Sequence, residues 1–98
     1  MLKKNYSKTG KVCRVTFKYN NAENAETAFL AGEFNNWSLQ DQPMKKLKDG
    51  SFSVTLSLQS GKSYPFRYVL DGAVWVNAEE ANNYLPNEYG EDNSIVVV

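Results

Sequence analysis

The chain has 98 residues, 42% hydrophobic and 13% aromatic, with 11 basic side chains balancing 11 acidic ones and no histidine. A chain of this length closes one modest core, burying about 60–65% of the surface its unfolded form exposes, and a formal charge of zero gives no general field to recruit nucleic acid or an anionic membrane. Without histidine, the Ser-His-Asp arrangement, the usual general base and His metal sites are excluded, and the single Cys13 excludes an internal disulfide or a cysteine-rich metal cluster.

Residues 1–11 form a basic lead-in, expected to be poorly ordered, and the folded domain is expected over 12–98. No apolar run follows the lead-in as a signal peptide requires, and the longest aliphatic run, 95–98, is far short of the ~20 residues of a membrane helix. A soluble, cytoplasmic protein is the expectation. Residues 12–19 place Cys13, Val15, Phe17 and Tyr19 on one face and Arg14, Thr16 and Lys18 on the other, the period of a half-buried strand. A second strand is predicted over 27–33, where Gly32 allows a close backbone approach into the corner Asn35-Asn36-Trp37. An edge strand is predicted over 43–47, opened by a proline that cannot donate to a ladder.

Asp49-Gly50 then reads as a tight hairpin turn. After it Phe52, Val54, Leu56 and Leu58 alternate with Ser51, Ser53, Thr55 and Ser57, the cleanest strand pattern in the chain. Following a turn at Ser60-Gly61, Tyr64, Phe66, Tyr68 and Leu70 alternate with Pro65, Arg67 and Val69. Asp71-Gly72 makes a second hairpin turn into a strand over 73–76. Residues 77–93 are rich in Asn, Glu, Pro and Gly with three aromatic or aliphatic residues interspersed, and read as one long functional loop. A β-branched strand over 94–98 closes the chain. About seven short strands with frequent turns predict an all-β, immunoglobulin-like antiparallel β-sandwich.

Catalysis has little to work with. Glycoside hydrolysis needs two rigid carboxyl groups about 5–9.5 Å apart with separated pKa values, whereas the acids here fall in turns or in the long loop. That loop also lacks the ligand spacing of a known calcium site, so no metal or cofactor is expected. Binding has better support. Trp37 and Trp75 both stand beside polar residues rather than inside a core pattern, and Trp37 is either a lid over one end of the core or a platform open to a ligand. Flat aromatics suit the C–H faces of pyranose rings, while amides and cations suit their hydroxyl rims. Arg67 lies on the polar face of the strand before Trp75; it is either such a cation or a solvated strand residue. Asn93, taken alone, is a turn or strand-start residue.

GEFNNW at 32–37, FRYVLDG at 66–72, Trp75 and the closing GEDNSIVVV together resemble the family 48 carbohydrate-binding modules, which include glycogen-binding domains and isoamylase N-terminal domains. The similarity spans roughly residues 12–98. It implies an early-set β-sandwich that binds α-1,4-linked glucans without catalysis. Family positions carried over by the resemblance make Trp37 and Trp75 stacking platforms, put Arg67 where binding members have lysine, match Asn93 to a hydroxyl-binding asparagine, and bring Tyr89 near an apolar residue that enters a curved glucan. Two departures are visible: Trp75 is one residue further from its Asp-Gly than in the kinase-type domain, and Glu91 replaces a small hydroxyl residue. The implied partner is an α-glucan, with a separate glucan-active enzyme as the alternative and neither nucleic acid nor membrane expected.

Overall fold

The computed structural model describes residues 2–21, 23–78, 81, 83–86 and 92–98. It is built from antiparallel strands in two sheets. The first sheet has the order β1-β2-β5-β4, with β1 at Leu2–Tyr6, β2 at Val12–Tyr19, β4 at Lys45–Lys46 and β5 at Phe52–Gln59. The second has the order β3-β6-β9-β8, with β3 at Ala28–Gly32, β6 at Ser63–Leu70, β8 at Asn83–Pro86 and β9 at Asp92–Val97. Strand β7, Val74–Val76, adds to β6 beside this path.

The alternation read from the sequence dictates which faces meet. Cys13, Val15 and Phe17 of β2 are fully buried and lie opposite Leu58, Leu56 and Val54 of β5. From the second sheet Leu30, Phe66, Tyr68 and Val96 face them. Aromatic edges fill the centre: Phe17 and Phe66 have centroids 5.0 Å apart at 73°, and Tyr19 lies 5.2 Å from Tyr68. An edge-to-face pair such as Phe17–Phe66 contributes about 0.5–1.5 kcal/mol beyond the area it buries.

Both Asp-Gly steps form hairpins, joining β4 to β5 and β6 to β7. At the second, Asp71 and Gly72 have φ of 51° and 72°, the left-handed region such turns demand. Asp71 also accepts the N–H groups of Glu26 and Thr27 through Oδ1, at 2.9 and 3.1 Å, which ties the turn to the chain entering β3.

Among the described residues the sandwich has nine strands rather than about seven. One of the two additions is β1, within the basic stretch expected to be a poorly ordered lead-in: Leu2 to Tyr6 pair with Phe17 to Cys13. Its lysines hid it from a pattern reading, yet charge is how an exposed edge strand avoids pairing with other chains. The other is β8, inside the stretch read as one long loop; it pairs with β9 through Tyr84, opposite Ser94, and Leu85, opposite Asn93. Pro86 ends it, as edge strands allow. The edge strand foreseen over 43–47 shrinks to Lys45–Lys46, with Pro43 making an isolated bridge to Phe29.

Candidate functional site

Strand β3 runs into a single 3-10 turn, Glu33–Asn35, and the chain then doubles back at Asn36 and Trp37. Glycine is required at position 32 by proximity: a Cβ there would lie 2.7 Å from Phe34 Cζ and 2.8 Å from the Pro65 carbonyl. Its absence lets Phe34 fold back against Phe17 and Tyr64, at centroid distances of 6.1 and 6.2 Å. Asn36 and Trp37 both take left-handed backbone, with φ of 54° and 58°. Asparagine tolerates that region, but for a bulky residue it costs about 1–2 kcal/mol and persists only where the surroundings over-determine it. Here the Trp37 N–H donates to the Gly32 carbonyl at 2.8 Å, and the Ser38 N–H to the Asn35 carbonyl at 3.2 Å.

The fold brings Trp37 and Trp75 together. Their ring centroids are 6.5 Å apart and the planes are tilted by 46°. Trp75 comes from β7, opposite Val69, and is 38% exposed; Trp37 is half-buried. Neither indole belongs to the central core cluster, so the pair forms two adjoining facets on the outward side of the second sheet.

Arg67, on the outward face of β6 as the strand pattern places it, also lies against Trp75. It is 9% exposed rather than solvated. Its Nη2 donates to the Trp75 carbonyl at 3.1 Å and its Cζ lies 5.9 Å from the Trp75 ring centroid. The outward side of β6 is thus largely covered, with Val69 fully buried, Ala31 opposite Arg67 and Ile95 opposite Pro65. Asn93 is half-buried on β9. With Ser94 opposite Phe66, the same register carries Asn93 to the level of Arg67 on the outward face, and Leu85, 52% exposed, stands beside it on β8. Tyr89 and Glu91 lie outside the described residues.

The approach to β9 is anchored by Ser94, which is fully buried: its Oγ donates to Asn77 Oδ1 at 2.9 Å and accepts the Ala78 N–H at 3.0 Å. Among the described residues no group of three or more His, Cys, Asp or Glu is placed to hold a metal ion. No helix there is long and apolar enough to cross a membrane.

The β-sandwich thus carries paired, partly exposed indoles on one outer face, backed by a buried cation. A family model described as the glycogen recognition site of AMP-activated protein kinase matches residues 13–98. The chain belongs to this family of carbohydrate-binding domains. Comparison with curated proteins gives no match.

Proposed function

We propose that this chain binds α-1,4-linked glucans, such as glycogen, starch or maltooligosaccharides, and performs no catalysis. The observation that carries this reading is the Trp37–Trp75 pair, 6.5 Å apart and tilted by 46°. Two facets at that angle cannot both lie flat against a straight, ribbon-like polysaccharide. They suit neighbouring pyranose rings of a chain that turns between residues, as an α-1,4-linked glucan does.

In this reading each indole stacks on the C–H face of one glucose, and Arg67 and Asn93 contribute polar contacts to hydroxyl rims. Arg67 would reach such a hydroxyl only at the edge of Trp75, since it is 9% exposed and its Nη2 donates to the Trp75 carbonyl. The match to a glycogen-recognition family supports the ligand class, and the absence of histidine from the sequence supports a binding role over an enzymatic one. One exposed site of this size corresponds to a Kd of about 1 μM to 1 mM, or roughly −8 to −4 kcal/mol.

Co-sedimentation with insoluble amylose and, in parallel, with cellulose tests the ligand class. Depletion by amylose alone is expected. Equal depletion by both, or by neither, would remove the basis for an α-glucan site.

A further inference from the structure

We infer that Asn35 is a positioning residue that sets the Trp37 platform, its carboxamide acting as a surrogate strand residue at the outer edge of β3. On that edge the Ala28 carbonyl accepts from the Met44 N–H at 2.9 Å, and the Leu30 N–H donates to the Gln42 carbonyl at 2.9 Å. The next groups along the same edge are the Leu30 carbonyl and the Gly32 N–H. Asn35 takes both: Nδ2 donates to the Leu30 carbonyl at 2.9 Å and Oδ1 accepts the Gly32 N–H at 3.0 Å.

A carboxamide carries the same donor and acceptor as a peptide group. Donating to one residue and accepting from the residue two further on is the pattern of a strand neighbour in a parallel ladder. The side chain therefore closes the edge of the sheet with no second strand. It also draws residue 35 back onto β3, so the next two residues reverse direction within a very short span. That reversal is what the left-handed φ of Asn36 and Trp37 accomplishes, and the Trp37 N–H completes it on the Gly32 carbonyl. The indole is delivered to its place 6.5 Å from Trp75 by a clip whose polar atoms face the backbone, so Asn35 has its amide committed to geometry rather than to a ligand.

The functional consequence rests on the proposed glucan site, but the geometry can be read without it. Two indoles this close and tilted couple their transitions, giving an exciton couplet in circular dichroism that reports the pair directly. The full chain, Asn35→Ala, Asn35→Asp and the control Trp37→Phe are compared by the couplet, by thermal unfolding and by titration with maltoheptaose. Asn35→Asp keeps the acceptor and loses the donor.

The expected result is a couplet in the parent chain that Trp37→Phe abolishes. Asn35→Ala should lose at least half of its amplitude while still unfolding cooperatively, with Asn35→Asp between the two. Maltoheptaose affinity should fall about tenfold in Asn35→Ala. A folded Asn35→Ala with couplet and affinity unchanged overturns the inference. So does a parent chain with no couplet for Trp37→Phe to remove, and so does failure of both Asn35 variants to fold, since the amide would then hold the sandwich rather than the platform. If the parent chain ignores maltoheptaose, the glucan reading fails by itself and the couplet still decides the role of Asn35.

Discussion

Arg67 holds Trp75 at two points: Nη2 donates to its backbone carbonyl at 3.1 Å, and the guanidinium carbon lies 5.9 Å from the centre of its indole. One residue of β6 thereby fixes both β7 and the indole it carries. Hydrogen bonds from charged donors are worth about 1.5–3 kcal/mol when buried, and a desolvated cation–π contact adds up to about 2. Arg67→Ala is therefore expected to destabilise the fold by about 2–4 kcal/mol, read by urea unfolding. Arg67→Lys should recover only part of this, because an ammonium cannot stack as a planar guanidinium does.

Gly32→Ala tests the corner from the other side. The added Cβ would meet the Pro65 carbonyl at 2.8 Å, and a backbone oxygen in the middle of a sheet cannot swing away as the nearby Phe34 ring could. With φ of −165° the backbone itself is extended and unstrained, so the whole effect is steric. A loss of about 1–3 kcal/mol is expected, together with a weaker Trp37–Trp75 couplet.

Much of the architecture was legible in the sequence because β2 and β5 each have one face in the core and one in water, which imprints a period of two. The Asp49-Gly50 and Asp71-Gly72 turns and the buried Cys13 could be read for the same local reasons. Strands β1 and β8 could not, since an edge strand is held by its neighbour and needs no pattern of its own. Alternation puts Arg67 and Val69 on the outward face of β6, as observed, but cannot tell that this face is itself covered, leaving Arg67 9% exposed and Val69 fully buried. Both tryptophans stood out as misfits in polar surroundings, whereas their distance and tilt depend on how β7 and the Asn35 clip are set, which is tertiary information. Of the remaining site residues, Asn93 reaches the level of Arg67 through the register of β9, and Tyr89 lies outside the described residues.

Tyr68 carries its hydroxyl into the core. The residue is fully buried, and its OH has no hydrogen-bond partner among the described residues. Burial, reinforced by Tyr19 and Tyr84, pushes its pKa above the ordinary value of 10.0. Leaving a buried donor unsatisfied costs about 1–3 kcal/mol. Tyr68→Phe should thus be neutral or raise stability by about 1 kcal/mol, which for a domain of this size is a rise in Tm of about 4–8 °C. Thermal unfolding of the two chains side by side checks it.

Asp49 is held below its ordinary pKa of 3.8, first by the Ser51 hydroxyl at 2.5 Å, then by the Ser51 N–H at 3.0 Å, with a smaller contribution from Lys18 at 3.8 Å. A depressed folded-state pKa means that its stabilisation is present above the unfolded value and is lost as pH falls below 3.8 through the lower folded one. Ser51→Ala should move the Asp49 midpoint back up toward 3.8 and flatten that part of the acid unfolding limb. An NMR titration of the side-chain carboxyl carbon reads the shift; an unmoved midpoint would show that the hydroxyl is not its cause.

If Trp37 and Trp75 together form the proposed glucan site, NMR titration with maltoheptaose reads it at both indole N–H resonances, in the parent chain, Trp37→Ala, Trp75→Ala and the double variant. Both resonances are expected to shift along one saturating curve in the parent chain. Each single variant should weaken binding about tenfold or more, or at least about 1.4 kcal/mol, and the double variant should show no binding while remaining folded. Saturable maltoheptaose binding that survives loss of both indoles would contradict the proposal, as would a folded parent chain whose indole resonances do not move.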